Sequence, residues 1–447
     1  MKKTKWRGFY PSRPGRPGPL GRVLALALVA LVLIGCEGPT ILPVTPNVLR
    51  DGSGSRLLAQ LPEDQHVVDI PIIYFTDRNR EVGKDSLVRY GTHRSVFMSF
   101  GLATVSLNPA PTWDELVQAG GSAPVGRRYT LSVSKVKEIG NFSITPASFE
   151  FHEGSLRYKP MVAERIDEEK RKVLDLVRSR LAATGCKDVY IYVHGVDNTF
   201  DDAVSRTAVM WHYTGRKGVF IAFTWPAGQG GALGYFYDRE SGEFAVHHLE
   251  LLITELAKCA EIERIHLIAH SRGCDVTTTA LREINLQCRS RGLSTQKELK
   301  LETLVLAAAD LDVELFGQRL VLENMGVIAK QFVIYSSSKD TAVGLADWLF
   351  SSKARLGTLS KSDVSEADQA LVAQFPGFQC VQCFVSGFGT THDYLFTNPG
   401  AMSDLILLLR DGRSPGAANG RPLTPLGGAF WKLDNNYALP PQKPASR

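Results

Sequence analysis

Five short runs dominate the middle of the chain: DVYIYVHG (188–195), GVFIAFTWP (218–226), RIHLIAHS (264–271), ETLVLAAAD (302–310) and QFVIYSS (331–337). Each is apolar almost throughout and gives way to a polar turn or a helix-compatible stretch. A strand with one wet face alternates apolar and polar residues, whereas a strand buried on both faces does not. The pattern therefore predicts a mostly parallel central sheet flanked by helices, the α/β class. A sixth run, FQCVQCFVSGF (378–388), predicts one more strand.

The flanking segments divide the chain further. Residues 66–163 hold β-branched and aromatic runs (VVDIPIIYFT, SVFMSFGLATVSL, RYTLSVSKV, FSITPASFEF) broken by Gly, Pro and Asn, and read as a β-rich N-terminal subdomain. Ile166, Val173, Leu174, Val177 and Leu181 share one face of a helix over 164–185, with Gly185 suited to its C′ position. That helix opens an α/β domain reaching to residue 410. Residues 36–65, rich in Pro, Gly and Ser, read as a flexible tether. Residues 411–447 read as a Pro/Gly-rich tail with Phe430-Trp431 available to dock on the domain.

A formal charge of +5 invites a nucleic-acid reading, but its position does not support one. Seven of the 51 basic residues (Lys2, Lys3, Lys5, Arg7, Arg13, Arg16 and Arg22) and none of the 46 acidic ones fall in residues 1–35, leaving 44 basic against 46 acidic beyond them. Nucleic acid is thereby excluded as a partner. The same 35 residues combine a basic start with the apolar run 23–35, shorter than the roughly 20 residues that span a bilayer and of signal-peptide length. The run ends in Leu33-Ile34-Gly35-Cys36, which resembles the lipobox of bacterial lipoproteins. That resemblance implies export and lipid on Cys36, each acyl chain adding about 0.8 kcal/mol per buried methylene to membrane attachment. Glu37 is not the Asp of an inner-membrane retention signal, which points to an outer-membrane site facing the periplasm. Six further cysteines, including the lone pair Cys380 and Cys383, suit a structural bridge or buried thiols; no second pair suggests a metal or redox centre.

The chemistry concentrates at Ile265–Gly273. A buried strand runs into Ala269-His270-Ser271-Arg272-Gly273, and helix-compatible sequence follows. A nucleophilic serine on a strand-to-helix elbow needs small residues two positions either side, and Ala269 and Gly273 supply them. The Ala departs from the usual G-x-S-x-G, and an N-cap serine is the bland alternative. Two strands earlier, Val193-His194-Gly195-Val196 ends a buried run. This HG turn, with the elbow, assigns the oxyanion hole to the N–H groups of Val196 and Arg272, with His194 shaping the loop. Trp225 lies at the same sheet edge, as pocket lining or as core. In the chain order Ser…Asp/Glu…His, His392 is the one histidine of ten beyond residue 270. Asp340, at the carboxyl end of the fifth run, is the favoured acid over Asp310 and Asp312; Asp393 adjoins the histidine too closely to orient it.

With these residues in place the chain resembles a bacterial α/β-hydrolase family of unknown function, usually labelled esterase/lipase-superfamily proteins. The carrying pieces are IYFTDRNR (73–80), FGLATVSL (100–107), VHGVDNTFDDAV (193–204), FTWPAG (223–228), IHLIAHSRG (265–273), LAAADLD (306–312), YSSSKDTAVGLADWL (335–349) and THDYLF (391–396). The family more often carries H-S-M-G at the elbow, so Arg272 departs from it; its guanidinium either favours an anionic substrate or pairs with a nearby acid. The resemblance implies the α/β-hydrolase fold and a serine hydrolase mechanism, but no substrate. With the residues above, the expectation is cleavage of an ester or other acyl bond, without a cofactor, in a small-molecule or lipid-like acyl compound. A scaffold lipoprotein on a degenerate core, or a peptidase or amidase, is the alternative. No HExxH motif supports a metal hydrolase. Residues 226–250, Gly-rich then aromatic, either cover the pocket or connect two elements.

Overall fold

The computed structural model describes residues 40–83, 88–121, 128–144, 149–343, 354–385 and 391–439. The leader expected over 1–35 and Cys36 lie outside them. The strands are β1 (Ile70–Val82), β2 (Val88–Asn108), β3 (Thr130–Ile144), β4 (Phe149–His152), β5 (Ser155–Tyr158), β6 (Asp188–Val193), β7 (Val219–Thr224), β8 (Arg264–His270), β9 (Leu301–Ala307), β10 (Gln331–Ser336), β11 (Phe378–Phe384), β12 (Thr424–Gly427) and β13 (Phe430–Asp434). Eleven form one sheet in the order β12-β13-β11-β10-β9-β8-β6-β7-β1-β2-β3, while β4 and β5 pair with each other. From β1 across to β13 all neighbours are parallel. Antiparallel pairs close both sides, β1 with β2 and β2 with β3 at one, β12 with β13 at the other.

The continuous apolar runs become the central strands for the reason that made them legible: both faces are covered. Val189, Ile191 and Val193 of β6 point into one layer with the helices Pro160–Thr184, Gly231–Ala257 and Gly273–Ser290. Tyr190 and Tyr192 point into the other, with Phe200–Tyr213 and Pro399–Leu409. Burial of this apolar surface on both sides drives the assembly. The helix Pro160–Thr184 ends as expected at Gly185, in the left-handed conformation at φ 61°.

This topology places the site. The chain leaves β6 to one side to form β7, then crosses back to form β8 on the other. Loops that diverge in this way leave a crevice at the carboxyl ends of the strands, where open α/β sheets bind ligands. Here the switch point falls between β6 and β8, at the loop after β6 and the turn after β8.

Three boundaries differ from the expected divisions. The strand-rich stretch supplies β1, β2 and β3, which continue the central sheet instead of forming one of their own. Residues 40–65, expected as part of a flexible tether, pack against the body: Leu49 and Leu58 are buried, and the Asn47 side chain donates to the Tyr437 carbonyl at 2.8 Å. Their apolar residues are spaced without a helical or strand period, so composition alone favoured a linker. The C-terminal stretch adds β12 and β13, with Phe430 docked in the core.

That last addition is secured by a buried ion pair. Arg421 Nε and Nη2 donate to Asp404 at 2.8 and 2.7 Å, and Nη1 donates to Gln379 at 2.6 Å. The Tyr335 and Tyr437 hydroxyls complete the carboxylate's shell. Removing one member of such a pair leaves an uncompensated charge in a low-dielectric interior. Arg421→Met is expected to lower unfolding free energy by about 3–5 kcal/mol, read from urea denaturation; a loss below 1 kcal/mol would contradict a structural role for the pair.

Candidate active site

Strand β8 ends at His270 and the next helix begins at Gly273, so Ser271 sits on the turn between them. It adopts φ 52°, a left-handed conformation that costs a non-glycine residue of order 1–3 kcal/mol. Neighbouring backbone holds it there. The Ser271 N–H donates to the Ala307 carbonyl of β9 at 2.9 Å, and its own carbonyl accepts from the Cys274 and Asp310 amides at 3.1 and 3.2 Å.

The register Val193↔Ala269 brings the HG turn after β6 alongside this elbow. The approach is close enough to require glycine on both sides. A Cβ on Gly195 would lie 2.6 Å from Ser271 Cβ, and one on Gly273 would lie 2.3 Å from the His194 carbonyl oxygen. Ala269 is fully buried in the core, where its methyl group fits without disturbing the turn.

His392 lies on the same side. Its ring centroid is 4.7 Å from that of His270, the residue preceding Ser271, and its carbonyl oxygen is 3.3 Å from His270 Nε2. His392 Nδ1 is 2.8 Å from Asp340 Oδ2, while Asp340 Oδ1 accepts the Ala342 and Val343 amides, both at 3.1 Å. An ionised carboxylate only accepts, so the proton rests on Nδ1 and Nε2 carries the free lone pair. Burial resists charging this imidazole. The charge and hydrogen bond of Asp340, aided by Asp393 and Asp310, outweigh burial and hold its pKa above the ordinary value. Among the described residues, no hydrogen bond joins Ser271 Oγ to His392.

The rival acids have other duties. Asp310 accepts the Tyr235 hydroxyl at 2.6 Å and faces Arg355 Nη1 at 3.0 Å. Asp312 caps the short helix Val313–Gly317 through the Leu315 amide at 3.0 Å. Asp393 pairs with Arg206 Nη2 at 3.2 Å and lies 3.7 Å from His270 Nε2. Although burial raises a carboxyl's pKa, the Arg206 charge and the two imidazoles bring that of Asp393 down to about 2.

Among the described residues, the Val196 and Arg272 backbone N–H groups meet no acceptor of the protein. The loop bearing Val196 is nevertheless held firmly. Its carbonyl accepts from Asn198 Nδ2 at 2.9 Å, and the next amide, of Asp197, donates to Asp238 Oδ2 at 2.8 Å. The Arg272 side chain resolves one of its two readings. Its guanidinium pairs with Asp275 at 2.8 Å, one turn along its own helix, and Arg319 approaches the same carboxylate at 3.1 Å. Trp225 is fully buried and stacks on His194, so it belongs to the core. The stretch 226–250 mostly enters the helix Gly231–Ala257, whose second turn brings Tyr235 to Asp310.

Four residues at this edge escaped the reading from sequence: Arg78, Arg206, Asp238 and His270. Arg206 and Asp238 occupy mid-helix positions with ordinary polar spacing. Only the TDRNR stretch offered a signal for Arg78, as charge directly following the apolar run of β1. The six cysteines beyond Cys36 are all free thiols. Cys380 and Cys383 point into opposite layers, since side chains three apart on a strand face opposite ways, which removes the bridge between them.

No match was found among curated proteins. A family model described as alpha/beta hydrolase of unknown function (DUF900) matches residues 169–408, more than half of the chain and the whole stretch from the helix before β6 to the helix after His392. The chain belongs to this family of α/β-hydrolases.

Proposed function

We propose that the protein is a serine hydrolase that cleaves an ester, or a related acyl bond, through an acyl-enzyme intermediate. The observation that carries this reading is a partly buried imidazole, bonded to the Asp340 carboxylate at 2.8 Å, packed against His270 beside the strained serine elbow. In it, Ser271 attacks the acyl carbonyl and His392 takes its proton at Nε2, then returns it to the leaving group. Asp340 holds the tautomer and stabilises the imidazolium, and the Val196 and Arg272 amides receive the oxyanion. The serine–histidine hydrogen bond need only form with substrate, since catalytic contacts are often long in the free enzyme. The reading needs no cofactor. The substrate is a small-molecule or lipid-like acyl compound.

Cys36 is proposed as a lipidated residue that anchors the protein to the outer membrane, facing the periplasm. The lipobox-like LIGC sequence supports this, and among the described residues no helix is long and apolar enough to cross a membrane. Cys36→Ser is expected to release the protein from the membrane fraction and abolish incorporation of labelled fatty acid. Retention with no fatty acid in the parent chain would remove the anchor.

A fluorophosphonate probe is expected to modify Ser271, mapped by mass spectrometry, and the adduct should disappear in Ser271→Ala and His392→Ala. A folded chain that takes no label would instead favour a scaffold on a degenerate core, the reading consistent with the missing serine–histidine hydrogen bond.

The pH dependence follows from the raised pKa of His392. A protonated imidazole cannot accept the serine proton, so activity falls as pH drops through that raised value. Asp340→Asn removes the main group that raises it. The limb of the pH–rate profile should then move to lower pH, while the rate drops by about 10⁴-fold. An unmoved limb would assign it to another group.

A further inference from the structure

His194 is buried in the loop after β6 with both ring nitrogens engaged. Nε2 faces two groups that can only donate, the Trp225 amide at 3.1 Å and Arg78 Nη2 at 3.3 Å. Nδ1 faces a group that can only accept, the Gly195 carbonyl at 2.8 Å. One protonation state satisfies all three contacts: a neutral ring with its proton on Nδ1. Burial, and then the Arg78 charge, hold the imidazole pKa well below its ordinary value, so the ring stays uncharged.

Two side chains keep the ring in place. The Trp225 indole stacks on it at 5.0 Å, 5° from parallel, and donates from Nε1 to the His194 carbonyl at 2.8 Å. Arg78, fully buried within β1, also donates to the Thr224 hydroxyl at 2.7 Å and to the Gly91, Ala227 and Asn198 carbonyls at 3.1, 2.8 and 2.7 Å. It thereby ties the loop after β7 to the loop after β6.

The Gly195 carbonyl and the Val196 N–H belong to one planar trans peptide and point in opposite directions. A proton at Nδ1 that holds the carbonyl to one side therefore aims the amide to the other. We propose that His194, fixed as its Nδ1–H tautomer by Arg78 and Trp225, is a positioning residue that sets the Val196 peptide to receive the oxyanion. This rests on the serine-hydrolase reading. Loss of the Nδ1 donor leaves the peptide free to turn its carbonyl toward the site, which removes a donor and adds a repulsive dipole.

The test uses the full chain in detergent. Nitrogen-15 NMR of the histidine-labelled protein should show His194 protonated at Nδ1, bare at Nε2 and unchanged through the neutral range. A proton on Nε2, or a titration there, overturns the proposal without any appeal to activity. The second arm follows fluorophosphonate labelling of Ser271 in His194→Gln and His194→Asn. Glutamine places its amide near the Nε2 position, whereas asparagine can still donate from the Nδ1 position. His194→Gln is expected to lower the saturating labelling rate by about 10²–10³-fold with half-saturation little changed, and His194→Asn to recover most of it. If the parent chain labels at Ser271 but His194→Gln labels equally fast, the proposal fails and the serine hydrolase stands. If the parent chain never labels, both fall.

Discussion

The close approach of two glycine-bearing turns is the constraint on which the site depends. Gly195 against Ser271 and Gly273 against the His194 carbonyl leave no room for a side chain at either contact. That proximity follows from the pairing of β6 with β8 and from the crossing of the chain between them. It brings the loop bearing Val196 against the turn bearing Ser271 and Arg272, the arrangement that the proposed oxyanion site requires. A larger residue at either glycine would part the two turns without touching the strand pairing beneath. Fold and site therefore have different tolerances, although they share the same strands.

Charge is distributed with similar economy around this edge. Asp340 accepts from two amides and one imidazole, Asp238 from two loop amides at Oδ2, while Asp393 pairs with Arg206 and Asp275 with two guanidinium groups. Each carboxylate is committed to a partner, so His392 is left with a single unshared lone pair at Nε2. In a low-dielectric setting, unpaired groups would compete for that position or shift its protonation.

Much of this was legible in the sequence, for identifiable reasons. The central strands announced themselves because burial on both faces removes polar alternation. Ser271 and His392 stood out through local pattern and chain order, and Asp340 through its place after a strand. Arg78 was different. Irregular pairing of β1 with β2 on either side of it interrupts the alternation that would otherwise decide which way it faces. Its five partners come from three separate segments, which no local pattern reveals. The same limit applied to residues 40–65, whose scattered leucines acquire meaning only against a surface assembled from distant parts of the chain. The duties of Asp310 and Asp393 likewise depend on Tyr235 and Arg206, each contributed by a helix remote in sequence.

The packing of residues 40–65 also bears on how far the body would stray from the anchor proposed at Cys36. Thr40 already accepts the Leu131 amide, at the start of β3, at 2.7 Å. A lipid on Cys36 would then leave four peptide links before the folded body, about 14 Å at full extension. The thirty-residue leash suggested by composition becomes a short stub. An enzyme held so closely would patrol the layer of solvent against its own membrane, and would meet substrates that lie in or leave that surface in preference to those dissolved deeper in the compartment.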